Sequence, residues 1–349
     1  MEAVEVVRQV PYLAIAHSDA GSKFAYSPPM NQNTTKFKDD VSRTFTGPRT
    51  VLSLLSTATA SQGKILSIAA PYNHSSYSIG FYGPIVQCET ANRSTVILID
   101  NFLDEMMAEP MGTAKAAESA YFAFVPARNA SGNLIALSEQ RLQEPSNATN
   151  ELWFTFERFV VDAAGSKDTT RLHQVCYLYN STYDLQLEWD KGIQNIKGSY
   201  QVREKIWFPQ DKLGDVSNLA QHAYSALFWS ITDQVVGSFT WYQETETPSP
   251  WRPAQFGGID SAIAHNSLLG SSDLDVFFWL DEKYRLYKDD NETILSSQRL
   301  QDKALARNRT LDVLIEELSF NTTVSLLQNG LLTLAISHRF SFSPSWAIY

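Results

Sequence analysis

The clearest pattern in the chain is an alternation of apolar and polar residues at positions 183–189. Every second residue from Tyr183 to Trp189 is aromatic or aliphatic, and the residues between them are Asp, Gln and Glu. This period of two is typical of a strand with one buried face. Turn-forming residues follow at 190–192, and a further run continues toward Trp207. The sequence therefore predicts a β-hairpin in this region.

Shorter runs of the same kind predict further strands in the first two-thirds of the chain. Residues 77–81 alternate in the same way, and the apolar runs at 121–125 and 152–161 are strand candidates. Gly83-Pro84 is predicted to turn the chain before another short strand at 85–88. The run at 96–99 is interpreted as a buried strand segment. Residues 27–37 and 129–132 are predicted to be loop and turn.

Apolar spacings of three and four residues predict helices, mostly near the C-terminus. One amphipathic helix is expected at 215–235, and another around Leu311 and Leu318, ending near Asn329-Gly330. Shorter helices are expected between Pro48 and Gly63 and at 101–107. We therefore predict an α+β fold, with antiparallel strands and hairpins in the N-terminal two-thirds and amphipathic helices in the C-terminal third. The chain, 1–349, is interpreted as a single domain, with a candidate sub-boundary in the proline-containing stretch 243–256.

The net charge of the chain disfavours two classes of binding partner. The formal net charge is −10, which disfavours binding to the phosphate backbone of nucleic acids. No basic run exceeds two residues, so the sequence also lacks the pattern that recognises anionic lipid headgroups.

Asparagine sequons indicate passage through a glycosylating pathway. Nine Asn-x-Ser/Thr sequences are present, where chance predicts roughly three. Residues 2–9 lack the apolar core of a signal peptide, and no apolar run of about 18 residues could span a bilayer. Either the sequons are fortuitous, or the membrane spans lie outside this chain. The acceptors are Asn33, Asn73, Asn92, Asn129, Asn147, Asn180, Asn291, Asn308 and Asn321.

The two cysteines, Cys88 and Cys176, admit three interpretations. In an oxidising compartment they would form a structural disulfide, and in a reducing one they would be buried free thiols. A catalytic thiol is the third, although no nucleophile signature surrounds either residue.

Sequence motifs for catalysis, cofactors and metals are absent. The chain contains no GxSxG, GxGxxG, phosphate loop, HExxH or paired CxxC, so we predict no catalytic, cofactor or metal site. The six histidines are far apart in sequence. The pairs Asp281-Glu282 and Glu316-Glu317 are interpreted as an element end and a solvated helix face, against the alternative of glycosidase carboxylates. Four tryptophans are interpreted as core residues, against the alternative of a sugar-stacking surface: Trp229, Trp241, Trp251 and Trp279.

Four segments of the chain resemble a fungal family of uncharacterised multi-pass membrane proteins. They are 81–94 (FYGPIVQCETANRS), 175–196 (VCYLYNSTYDLQLEWDKGIQNI), 311–327 (LDVLIEELSFNTTVSLL) and 340–349 (FSFSPSWAIY). In that family a glycosylated domain lies outside the cell membrane, between N-terminal spans and a final C-terminal span. Some members carry the automatic name formylmethionine deformylase-like, for which this sequence shows no catalytic basis.

The resemblance implies roles for particular residues of this chain. Cys88 and Cys176 correspond to the family's paired cysteines, and Asn92, Asn180 and Asn321 to glycan sites. It also implies membrane attachment through segments outside this chain. We expect a non-catalytic extracytoplasmic domain of a fungal membrane protein, with a cell-wall component or other extracellular ligand as a candidate partner. The alternatives are a carbohydrate-binding or carbohydrate-active surface protein and an intracellular enzyme of unfamiliar type.

Overall fold

The computed structural model describes residues 48, 50–70, 74–108, 114–128, 134–138, 149–161, 167–208, 219–244, 255–278 and 301–329. The strands are β1 (His74–Thr90), β2 (Ala114–Arg128), β3 (Leu134–Ser138), β4 (Glu151–Val161), β5 (Lys167–Asp190), β6 (Ile193–Lys205), β7 (Gly237–Glu244) and β8 (Gln255–Ser261). The α-helices with defined ends are α1 (Thr50–Gln62), α2 (Arg93–Ala108), α3 (Leu219–Thr232) and α4 (Leu311–Ser325). Short 3-10 segments lie at Ala262–His265, Ser267–Gly270, Ser272–Leu274 and Leu326–Asn329.

The strands form one curled, eight-stranded sheet in which every pairing is antiparallel. The order is β1-β5-β4-β2-β7-β8, with β3 paired to β2 and β6 paired to β5. The long strand β5 pairs with β1 along one edge, and its other edge is shared between β4 and β6. This arrangement confirms the predicted α+β class, with strands first and helices concentrated toward the C-terminus.

The central part of the sheet is buried on both faces, because residues of β2, β4 and β5 alternate between two clusters of apolar side chains. In β4, Phe154 and Phe156 belong to the main core, whereas Trp153 belongs to a second cluster. Residues Ile99 and Leu103 of α2 complete that second cluster. The other α-helices with defined ends contribute to the main core, so α2 packs on the opposite face of the sheet.

The predicted hairpin at 183–207 is confirmed. β5 and β6 pair from Asp190–Ile193 onward, and the two residues between the strands, Lys191 and Gly192, have φ values of 53° and 77°. Two positive φ values are typical of the type I′ turn that joins twisted antiparallel strands.

The turn predicted at Gly83-Pro84 is wrong, because β1 runs through both residues as one strand. Two residues on, the N–H of Val86 donates to a side chain of α4 instead of to β5. Strand positions repeat every two residues, so the nitrogen of Pro84 also lies on the side away from β5. Proline therefore removes no bond from the ladder at this position.

The run at 96–99 is also not a strand. It lies within α2, where Ile99 and Leu103 are buried and Ile97 is 52% exposed. Asn92 caps this helix, since its Oδ1 accepts from the Thr95 N–H at 3.0 Å. A side-chain cap at the helix start outweighs the weak strand preference of a few aliphatic residues.

The helices near the C-terminus form where they are expected, and α3 is deeply buried over its last nine residues. Its residues 224–232 are all buried, and among them Ser225 accepts a hydrogen bond from Asn150 at 2.9 Å. Within the stretch 243–256, the described ends belong to β7 and β8, which pair with each other. The predicted loop at 27–37 and turn at 129–132 lie outside the described residues.

Candidate functional site

Cys88 and Cys176 lie directly opposite each other on β1 and β5, and their sulfurs form a disulfide. Cys176 is completely buried, and Cys88 packs against the main core. A disulfide in this position is typical of proteins that fold in an oxidising extracellular or secretory environment. Of the three interpretations of the cysteines, the structural bridge is the one that the structure contains.

The free edge of β1 beside this disulfide is covered by side chains of α4. The N–H of Val86 donates to Ser319 Oγ at 2.9 Å, and the N–H of Cys88 donates to Glu316 Oε1 at 2.8 Å. The carbonyl of Pro84 accepts from Thr323 Oγ1 at 2.9 Å. These bonds replace a neighbouring strand, so the edge that carries the disulfide is protected from pairing with another chain.

Aromatic rings hold α4 against this edge. The Tyr183 ring stacks on Phe81 of β1 and on Phe320 of α4, with centroid distances of 4.9 and 5.8 Å. The Tyr183 hydroxyl donates to the carbonyl of Pro84 at 2.6 Å. Gly83 fits here because a Cβ would approach the side chains of Thr323 and Tyr183 to 3.0 and 3.1 Å.

The pair Glu316-Glu317 is not the solvated helix face that the sequence suggests. Glu316 accepts the Cys88 N–H, and burial raises the pKa of its carboxyl although that bond opposes the shift. Glu317 forms an ion pair with Arg309. Both carboxyls therefore hold elements together. Asp281-Glu282 lies outside the described residues.

The described sequons differ in exposure. Asn92 and Asn308 are exposed, and Asn180 is partly exposed. Asn321, by contrast, is 5% exposed and lies within α4 beside the buried Thr322. A glycan needs an accessible Nδ2, so Asn92 and Asn308 are the described positions best suited to carry one. The other predicted acceptors lie outside the described residues: Asn33, Asn73, Asn129, Asn147 and Asn291.

The tryptophans that the structure describes do not make a common sugar platform. Trp229 and Trp241 are buried, at 2% and 5% exposure, and Trp251 and Trp279 lie outside the described residues. Trp207 is 61% exposed. The Lys205 Nζ lies between it and Tyr177, at 4.2 and 3.1 Å from the two ring centroids.

The histidines take part in separate local contacts. The His173 Nε2 lies 2.7 Å from Asp100 Oδ1 and joins β5 to α2, and His74 pairs with Asp190 at the end of the β1–β5 ladder. His265 is exposed. His17, His338 and the side chain of His222 lie outside the described residues. In the described part of the chain, no three His, Cys, Asp or Glu side chains are grouped to hold a metal ion.

Two buried carboxyl clusters could not be found from sequence spacing. In the first, Asp273 accepts from Arg158 Nη2 at 2.6 Å and from the Leu311 N–H at 2.8 Å, so it caps α4 from a distant segment. Burial raises the pKa of its carboxyl, although the bonds from Leu311 and Arg158 act in the opposite direction.

The second cluster joins Glu157 of β4, Arg171 of β5 and Glu118 of β2. Arg171 Nη2 donates to Glu157 Oε1 at 2.6 Å. Burial raises the pKa of the Glu157 carboxyl to about 7; the nearby Glu118 acts in the same direction, and Arg171 opposes it. Strand register brings these three residues together, and no local motif marks any of them.

Comparison with known proteins adds no assignment. No protein-family model, curated protein or solved structure matches this chain. Among the described residues, no helix combines the length and the apolar character needed to cross a bilayer.

Proposed function

We propose that the chain is a non-catalytic extracytoplasmic domain of a fungal membrane protein, oxidised and glycosylated in the secretory pathway. The observation that carries this proposal is the Cys88–Cys176 disulfide, which joins β1 to β5 next to the main core. Cytosolic reductants keep most thiols of intracellular proteins reduced. A bridge between β1 and β5 beside the main core therefore favours an oxidising compartment.

The exposed sequons support the same compartment. Asn92 uses its Oδ1 to cap α2, and a glycan would be attached through Nδ2, so capping and glycosylation are compatible at this residue. Asn308 is exposed in the turn before α4, with a φ of 55°. Both acceptors can carry a glycan without disturbing the described packing.

The use of the polar side chains supports a structural role over catalysis. Glu316 satisfies a strand edge, Asp273 satisfies a helix start, and His173 joins β5 to α2. Glycosidase carboxyls stand about 5–10 Å apart across a bound sugar. Glu157 is instead paired with Arg171, whose Nη2 donates to Glu157 Oε1 at 2.6 Å.

Membrane attachment is the part of the proposal that the resemblance supplies, through spans that flank this region in the fungal family.

The test is a topology experiment with the full-length gene and an epitope tag in this domain. We expect the tag to stay in the membrane pellet after alkaline extraction. Protease should remove the tag from intact spheroplasts, or from sealed microsomes only after detergent is added. Recovery of the tag in the soluble cytosolic fraction, beside a cytosolic marker, would overturn the proposal.

A second candidate function is binding of a cell-wall polysaccharide, which the exposed Trp207 favours. Its indole is exposed, and the Lys205 ammonium lies between this indole and the Tyr177 ring. An exposed indole can pack on the apolar face of a pyranose ring, and a neighbouring ammonium can donate to a sugar hydroxyl. Retention on insoluble chitin or β-glucan tests this function. Trp207→Ala should abolish retention, whereas Val202→Ala, at another exposed position, should not. If the unmodified domain is not retained, the candidate is rejected.

A further inference from the structure

Strand β6 forms an open edge of the sheet. It pairs with β5 alone, and none of its 13 residues is buried. The free edge of β1, by contrast, is covered by hydrogen bonds from side chains of α4. Among the described residues, only β5 forms hydrogen bonds with the backbone of β6.

The hairpin between β5 and β6 determines which backbone groups this edge presents. Asp190 and Ile193 close its two-residue turn, and such a closing pair exchanges both of its backbone hydrogen bonds. Every second residue of β6, counted from Ile193, therefore bonds to β5. The residues between them direct their N–H and C=O groups away from β5, among them Ile196, Gly198 and Tyr200.

Apolar side chains are exposed along the same strand. Ile193 is 73% exposed and Val202 is 40% exposed. The ladder with β5 is regular from Ile193 to Val202, and its register shifts only beyond that residue. A regular edge strand with open backbone groups is a template for pairing with another strand.

We propose that two copies of this chain pair through β6, antiparallel to each other, about a two-fold axis at Ser199. A two-fold interface is isologous, so each residue of one β6 faces the same residues in both copies. The pairing joins two eight-stranded sheets into one continuous sheet. This dimer goes beyond the proposed function and does not depend on it.

The position of the axis follows first from the aliphatic residues of β6. With the axis at Ser199, Ile196 of one copy lies opposite Val202 of the other, so the exposed Val202 gains an aliphatic neighbour. An axis one residue earlier, at Gly198, would place the polar Gln194 opposite Val202 instead.

Gly198 and Tyr200 complement each other in the same register. A Cβ at position 198 would collide with the side chain of Leu185, so the fold of each copy requires glycine here. Gly198 of one copy lies opposite Tyr200 of the other, and an aromatic ring can cover a glycine on a facing strand.

The charges of β6 are also compatible with this axis. Lys197 faces the uncharged Gln201 of the second copy, and the two Lys197 residues stand about 13 Å apart along the strands. An axis at Tyr200 would put Lys197 directly opposite Arg203, and like charges in such a pair are destabilising. Charge and apolar pairing therefore select the same register.

Sedimentation equilibrium of the intact chain tests the dimer. We expect a monomer–dimer equilibrium with a Kd in the micromolar range, because pairing of two edges buries little surface. Ser199 is exposed, and across the axis it faces itself in the closer, non-hydrogen-bonded kind of pair. Ser199→Lys should therefore raise the Kd about fivefold, which corresponds to about 1 kcal/mol.

A charge exchange tests the axis itself. Ser199→Glu alone should weaken the dimer as Ser199→Lys does. An equimolar mixture of the two variants should dimerise more tightly than either variant alone, because Lys then faces Glu. The matched control is Ser78→Lys, which adds the same charge at an exposed position of β1 and should leave the Kd unchanged. Denaturant unfolding checks that each variant is folded.

Three outcomes would overturn the proposal. The first is an unmodified protein that remains monomeric up to millimolar concentration. If the amides of Gly198 and Tyr200 are then still protected from hydrogen exchange, another segment of the chain covers the edge. The second is an equal Kd for Ser199→Lys and Ser78→Lys. The third is a mixture of the two Ser199 variants that associates no more tightly than each variant alone.

Discussion

At the scale of single residues, buried polar side chains form hydrogen bonds with backbone groups that the sheet leaves without a partner. Ser319 and Glu316 accept the N–H groups that β1 cannot offer to a neighbouring strand. Thr323 donates to a carbonyl of the same edge. Each bond matters mainly because its loss would leave a buried backbone group without a partner.

Replacement of Ser319 by Ala should therefore lower the free energy of unfolding markedly, although the side chain loses only one oxygen. Ser319 is completely buried, and the variant leaves the Val86 N–H without an acceptor. We expect a loss of about 1–3 kcal/mol in the free energy of unfolding, measured by denaturant titration. Ser199→Ala, at an exposed position of β6, should change it by less than about 0.5 kcal/mol. Equal losses in both variants would contradict this role of Ser319.

The exposure of single asparagines predicts which described sequons carry glycans. Asn92→Gln and Asn308→Gln should each remove one glycan, seen as a faster band on a gel that enzymatic deglycosylation abolishes. Asn321 is buried in α4, so Asn321→Gln should leave the mobility unchanged. A glycan at Asn321 would mean that α4 does not pack as described.

At the scale of elements, a segment distant in sequence supplies the helix cap that the residues next to α4 do not provide. Thr310 precedes α4 but makes no side-chain cap bond. Asp273, from a 3-10 segment, accepts the Leu311 N–H and places a negative charge at the positive end of the helix. Arg158 of β4 holds the same carboxyl, so three elements meet at one residue.

Loss of Asp273 should consequently destabilise the whole fold. Asp273→Ala removes the helix cap and the partner of Arg158, and we expect a loss of about 3 kcal/mol in the free energy of unfolding. Asp273→Asn keeps a side-chain acceptor and should lose less. Thermal or denaturant unfolding of the two variants measures the difference. An alanine variant as stable as the unmodified protein would refute the cap.

The disulfide is the strongest single constraint between elements. It closes a loop with a sequence separation of 88, which in the chain-entropy model corresponds to about 4–5 kcal/mol. Cys88→Ala/Cys176→Ala should lose stability of this order in denaturant unfolding. Dithiothreitol should destabilise the unmodified protein by a similar amount and leave the double variant unchanged. A midpoint that reduction does not move would contradict this contribution.

Local patterns predict the hairpin, but they miss two features: the helix at 96–99, which a local cap at Asn92 starts, and the edge of β1, where a tertiary contact decides. The hairpin at 190–192 was predictable because its turn residues are adjacent in the chain. The continuation of β1 through Gly83-Pro84 was not predictable. The Val86 N–H at this edge donates to Ser319 of α4, which lies more than 200 residues later in the chain. The pairing of Glu157 with Arg171 depends on strand register, which composition and spacing do not reveal.

At the scale of the whole molecule, the helices cover one edge and the faces of the sheet, and the disulfide joins the edge strand β1 to β5. α4 covers the free edge of β1, α2 covers one face, and α3 is buried in the main core. The chain carries a net charge of −10, and its buried Asp273 is paired with the partly exposed Arg158. These features stabilise the described sheet, and the disulfide suits an oxidising environment.

The extracytoplasmic location is tested most directly by measuring whether Cys88 and Cys176 are disulfide-bonded in protein isolated from its native cells. Free thiols should be alkylated during lysis, and the unreduced protein should then be digested and analysed by mass spectrometry. We predict one linked peptide containing Cys88 and Cys176, together with a glycan on the peptide that contains Asn92. Two alkylated cysteines and an unmodified Asn92 would place the protein in a reducing compartment and contradict the extracytoplasmic location that we propose.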